Sequence, residues 1–290
     1  MPRLLVSIAI VGFLAGDNAS SRASSRALSR PSSQAPAQSC VATGALVRLP
    51  GVIEASGAAA SRRHPGIIWT HNDSGDPVVF AFDAGGTARA RVTVSGATVT
   101  DWEDIALGPC PQGTCLYIAD IGDNNRARRQ ITIYRVPEPA LDAQTTEPAD
   151  VMVLTYPDGA RDAEAVFVTD GQLFVVSKTS PALTALYRAP LGGGRAVLTT
   201  VAKLPLDRVT GGTISPDGTW VGLRSNEELT VYRTTELTSG KSAVPRRFAL
   251  TPFAERQGEG VAIGGDGMIF LVGEGTGGGG TLVPIRCQLG

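Results

Sequence analysis

A short segment that recurs five times constrains the fold more than any other feature of the chain. Residues 210–218 align without gaps on residues 259–267, both ending in Asp-Gly and both followed by an apolar strand. Residues 164–171 have the same form with one residue fewer, and further copies begin at Glu103 and Ser56. With Ser56, Glu103, Glu164, Thr210 and Glu259 as anchors, the spacings are 47, 61, 46 and 49 residues. Each copy continues in the same order. A second strand (67–70, 116–119, 173–176, 219–223, 268–272) leads through a polar loop to a third (78–82, 131–136, 183–188, 229–233, 281–286). A fourth follows in the first four copies, for example at 89–94 and 151–156. Four short strands per unit at this period predict a β-propeller blade. The fifth copy stops after its third strand, and residues 44–50 are expected to supply the missing one. The chain is therefore read as all-β, a five-bladed β-propeller of four-stranded blades whose last blade is closed by an N-terminal strand. A β-sandwich is the alternative, but it explains neither the five copies nor the incomplete last one.

Composition agrees. The 290 residues include 35 Gly and 19 Pro, which favour turns and oppose long helices. At 42% apolar and 18% charged, the chain is neither disordered as a whole nor a helical bundle. A net charge of −1 argues against nucleic acid as a partner.

Residues 1–20 read as a signal peptide: Arg3, then an uncharged apolar run over 4–16, too short for a comfortable membrane span. A membrane anchor is the rival reading. Residues 21–39 read as a Ser/Arg/Pro linker, and residues 40–290, with net charge −4, as the propeller. The expected location is secreted or periplasmic, with no membrane span after processing and a monomeric state. Four cysteines in an exported chain suggest disulfides. Cys110 and Cys115 bracket a hairpin loop, while pairing Cys40 with Cys287 would tie the two ends of the ring. A zinc site is the competing reading, without a Cys-x-x-Cys or a neighbouring His to support it.

In a propeller the first strand of each blade lines the central channel, so the five anchors meet near the axis. Three carboxylates converging there repel one another unless a cation sits among them. Oxygen donors suit a hard cation, so Ca²⁺ is the expected cofactor, with Ser56, Glu103, Glu164, Thr210 and Glu259 as candidate ligands. Pairing with Arg or with backbone amides is the alternative. The second-strand loops open on the same face and offer His71, Asn72, Asp73, Asp76, Asp120, Asp123, Asn124, Lys178, Arg224 and Glu274. Asp73, Asp120 and His71 are the candidate general acids or bases. The others are candidate ligand contacts, acidic on one side and basic (Lys178, Arg224) on the other. Asp101, Asp104 and Asp162 read as supporting acids, and Trp102 as core. Such a pocket suits a small anionic ligand or an ester substrate.

The strings at 71–76, 101–106 and 119–124 resemble an exported bacterial β-propeller family of poorly defined activity, a likeness covering most of residues 50–290. More loosely, the axial pattern resembles that of calcium-dependent apyrases, and more distantly that of calcium-dependent β-propeller phytases. The resemblance implies Ca²⁺ near the five anchors and does not fix an activity. Thr210 among glycines departs from the apyrase pattern, and the apyrase nucleotide contacts have no match. No Gly-x-Ser-x-Gly or His-Glu-x-x-His motif occurs, and 273–278 fits Gly-x-Gly-x-x-Gly without the helix that a dinucleotide site needs. Two readings follow: a metal-dependent hydrolase of phosphate or carboxylic esters, or a non-catalytic binding propeller with a structural metal or internal salt bridges.

Overall fold

The computed structural model describes residues 39–178, 184–275 and 277–289. The expected leader (1–20) and linker (21–39) lie outside them, apart from Ser39. Five sheets follow in chain order, each built on antiparallel strands. Blade 1 is Ala55–Ala60, Ile67–Asn72, Val78–Asp83 and Ala88–Thr93. Blade 2 is Trp102–Cys110, Gly113–Asp120, Ile131–Pro137 and Asp150–Thr155. Blade 3 is Ala163–Thr169, Gln172–Ser177, Ala185–Pro190 and Thr199–Lys203; blade 4 is Gly211–Ile214, Trp220–Arg224, Glu228–Arg233 and Arg246–Ala249. Blade 5 is Gln257–Ile263, Met268–Glu274 and Gly280–Cys287. Among the described residues the only helices are Thr234–Thr238 and a 3-10 turn at Thr251–Phe253, and no helix is long and apolar enough to cross a membrane.

Inner and second strands are buried along nearly their whole length because both faces of each sheet are covered. Each blade packs on the next. Trp69 and Val79 of blade 1 meet Ile105 and Ile118 of blade 2, and Ile133 and Met152 meet Val166 and Val175 of blade 3. Phe167 and Val176 then meet Val221 and Tyr232 of blade 4, whose Leu229 and Phe248 meet Ile269 and Leu271 of blade 5. Phe270 and Val272 return to Ile68 and Phe82 of blade 1. Five such interfaces make the ring, so apolar burial, the dominant favourable term in folding, runs around the axis.

The ring closes as expected from the sequence, with a longer seam. Cys40–Ala42 and Val47–Leu49 both pair antiparallel with Gly280–Cys287, in the registers Cys40↔Cys287 and Val47↔Leu282. Disulfides join Cys40 to Cys287 and Cys110 to Cys115. Blade 2 carries one strand the repeat does not show. Gly194–Val197, on the way from the third to the fourth strand of blade 3, pairs parallel with Asp150–Thr155. It satisfies backbone groups that the outer edge of blade 2 would otherwise leave open.

Candidate functional site

The anchors owe their direction to β-bulges. Opposite the second strands, the inner strands skip a residue between Trp102 and Asp104, between Ala163 and Ala165, and between Gly258 and Gly260. The residues skipped are Glu103, Glu164 and Glu259. A bulge leaves its extra residue outside the ladder and re-aims its side chain. Blade 1 slips likewise between Ser56 and Ala59. These side chains border a cavity of about 260 Å³ at the axis, lined by Ser56, Glu103, Glu164 and Glu259 together with Asp73, Asp101, Asn124, Lys178, Gln257 and Glu274.

Glu103, Glu164 and Asp162 bring carboxylate oxygens within 4.8 Å of one another, and all three are buried. Asp162 enters from the loop before the inner strand of blade 3 and also accepts the Asp123 amide at 3.0 Å. Lys178, the only cation among the described residues lining the cavity, is hydrogen-bonded to Glu164. Burial pushes the Glu103 carboxyl well up, and the charges of Glu164 and Asp101 push it further. Burial also raises Glu164, although Lys178 opposes the shift. Burial lowers the Lys178 ammonium, but the surrounding carboxylates more than offset this. Glu259 is raised by burial while Gln257 donates to it at 2.6 Å.

One ammonium does not balance this many acids, and burial with mutual repulsion raises Glu103, Glu164 and Glu259, a strain that a cation would relieve. The site therefore fits a hard cation by donor chemistry and by space. Gly122 packs so closely that a Cβ there would lie 2.2 Å from Glu103 Oε1 and 2.4 Å from the Asp101 carboxyl. The two other candidate ligands point elsewhere. Ser56 Oγ donates to the Glu103 carbonyl at 2.7 Å, and Thr210 Oγ1 to the Gly258 carbonyl at 2.8 Å. Each hydroxyl thus ties one blade to the next.

The loop residues divide. Asp73 lines the cavity, and its Oδ1 is buried without a partner. Burial, then the neighbouring Glu54 charge, raises Asp73 to about 6. Asn124 and Glu274 also line the cavity. Asp120 is committed elsewhere: Arg128 pairs with it at 2.7 Å, and the Thr100 and Asp101 amides donate to it at 3.0 and 3.3 Å. Asp123 accepts the Ala127 and Arg128 amides and shapes its own loop. Asn72 accepts the Ile53 and Glu54 amides, and the exposed Asp76 faces Arg91. Arg224 lies behind Gly258, fully buried, paired with Glu255 at 2.9 Å and donating to the Gly260 carbonyl at 3.0 Å. Lys178 is thus the cation at the cavity, and Arg224 a strut beside it.

His71 is fully buried and does not line the cavity. Its ring meets Trp102 edge-on, and Nδ1 contacts the Asn72 carbonyl at 3.0 Å. Burial drives it down to about 4, with hydrogen bonds opposing. The unfolded chain, with an ordinary His near 6.5, binds this proton first, so the contribution is complete above pH 6.5 and lost as pH falls toward 4. At 1.36 kcal/mol per pH unit the loss is about 3 kcal/mol. Urea melts at pH 7 and pH 4 are expected to show that the difference between the parent and His71→Gln shrinks by about this amount. A difference independent of pH would contradict the assignment.

No known protein family matches the chain, and no curated protein matches it significantly. Solved structures do resemble it. A gluconolactonase from Xanthomonas campestris is 12% identical over 84% of this chain and 89% of its own, with a TM-score of 0.45. A luciferin-regenerating enzyme is 9% identical over 87% and 95%, with a TM-score of 0.44. Kuenenia stuttgartiensis hydrazine synthase is 14% identical over 79% of this chain, with a TM-score of 0.41, and the match spans 57% of that chain. Likeness at this level carries nothing about activity.

Proposed function

We propose that the axial cavity is a divalent-cation site, with Ca²⁺ as the expected occupant, that receives a small anionic ligand or ester and hydrolyses the ester. The convergence of the buried Glu103, Asp162 and Glu164 oxygens within 4.8 Å supports this reading. All-oxygen donors suit a hard cation. When bound, such an ion neutralises the carboxylates and presents positive charge to a ligand oxygen. Glu103, Asp162 and Glu164 would hold it. Lys178, released from Glu164, would face the ligand as a second positive group. Asp73, raised to about 6, is poised to accept a proton from water near neutral pH. The two disulfides fit an oxidising compartment, so we read the protein as exported, acting in the periplasm or outside the cell.

The test is turnover of p-nitrophenyl phosphate and p-nitrophenyl acetate by the full chain in Ca²⁺ and in EDTA. Turnover of at least one ester is expected in Ca²⁺ alone. Asp73→Asn should lower kcat by about 10² or more while cation affinity stays close to the parent value. A protein that binds the cation and turns over neither ester would be a binding propeller instead.

A further inference from the structure

The other end of the channel has a different character. The inner strand of blade 1 starts at the axial cavity with Ala55 and ends with Ala60 at a groove of about 490 Å³. At roughly 3.3 Å per residue these ends lie about 17 Å apart. Pro65, Ile67, Pro216 and Phe270 form the groove's apolar walls, and Gly66, Gly264 and Gly265 leave it open. Its volume falls in the range of small-molecule sites, which are mostly apolar with a few placed polar groups.

Its polar inventory is short. Ser61 Oγ is spent on Glu138. Asp266 is turned onto its own loop, where Oδ1 accepts the Met268 amide at 3.0 Å. Arg62 remains. It lines both the groove and the narrow end of the channel and forms no ion pair with any described residue. The nearby Glu138 acts on it only through its charge, being already held by Ser61, Trp69 Nε1 at 3.0 Å and the Arg63 amide at 3.2 Å. Arg62 is exposed and, as an Arg, stays protonated. An exposed cation in no ion pair, its acidic neighbour Glu138 already engaged, and set beside apolar walls, is complementary to one kind of ligand.

We infer that this groove is a second binding site, for an amphiphilic carboxylate whose apolar body lies on Ile67, Pro216 and Phe270 and whose single anionic head meets Arg62. It is separate from the axial cavity and does not depend on the function proposed there.

Calorimetric titration of the full chain with sodium decanoate tests this, with EDTA present so that no axial cation attracts the head group. Saturable one-to-one binding of decanoate is expected, and none of acetate or decyltrimethylammonium at the same concentrations. Arg62→Gln should weaken decanoate binding by about tenfold or more, while Arg62→Lys retains most of it. Gly265→Phe supplies a groove-filling control. A Cβ at Gly265 meets nothing within 4 Å, so the new ring can occupy the groove without disturbing the fold, and binding should vanish while the melting temperature holds. Decanoate binding that is absent, unsaturable, or unchanged in both Arg62→Gln and Gly265→Phe would overturn the inference.

Discussion

Asp104→Asn is expected to destabilise the protein by about 3–5 kcal/mol, because it leaves at least two buried amides unpaired at about 1–3 kcal/mol each. The Asp104 carboxylate is fully buried on the axis. Its Oδ2 accepts the Val166 amide at 2.8 Å and the Gly212 amide at 3.1 Å, and its Oδ1 accepts the Ile105 amide at 2.9 Å. The Ala58 amide contributes a fourth hydrogen bond. These donors come from blades 1 to 4 and occupy one repeat position, two residues after each anchor. Burial pushes the carboxyl well above the usual carboxylate range, and the four amides offset only part of that. Asn keeps the shape but replaces one acceptor oxygen by a donor aimed at donors, leaving amides buried and unpaired. Thermal unfolding followed by circular dichroism should drop by roughly 10 °C or more for a domain of this size. A loss below about 1 kcal/mol would show that the four amides do not depend on this carboxylate.

Removing the Cys40–Cys287 bond should cost at least as much. It closes a sequence separation of 247 residues, against 5 for Cys110–Cys115. Loop entropy alone predicts about 5 kcal/mol for the long closure and about 2 kcal/mol for the short one. Without the bond the ring is held by Cys40–Ala42 and Val47–Leu49, two three-residue strands on Gly280–Cys287. Urea melts of Cys40→Ser/Cys287→Ser and Cys110→Ser/Cys115→Ser should differ in that order. Equal losses would mean that closure rests on the strands and blade packing.

The blades were legible because each one solves the same packing problem, and an equivalent solution leaves a period in the sequence. The anchors were legible for the same reason, since a bulge at one repeat position puts Glu103, Glu164 and Glu259 in equivalent places. Asp104 shows what a period hides. Only one blade contributes this carboxylate, and the other blades place Gly57, Ala165, Gly211 and Gly260 at the matching position. A Cβ at Gly260 would come 2.5 Å from the Gly57 carbonyl carbon, so the axis admits one larger side chain among small ones. That pattern, four small residues and one acid, was the available signal. Asp162 was legible only as a supporting acid, because it lies before the repeated segment and reaches Glu103 and Glu164 through its loop. The fate of Arg224 was equally hidden. Its partner Glu255 sits in an irregular stretch between blades, and only the close approach of Gly258 makes room for the pair.

The central claim is that Glu103, Asp162 and Glu164 form a cation site, and calorimetric titration of Ca²⁺ into the metal-free full chain tests it most directly. One ion should bind per chain. Protons should be released near pH 7, because burial and neighbouring charges raise the Glu103 carboxyl, which must ionise to bind the cation. Glu164→Gln should abolish this binding and leave the metal-free melting temperature within a few degrees. A folded protein that takes up neither Ca²⁺ nor Mg²⁺, and melts at the same temperature with and without them, would contradict the claim and leave Lys178 as the full counter-charge of Glu164.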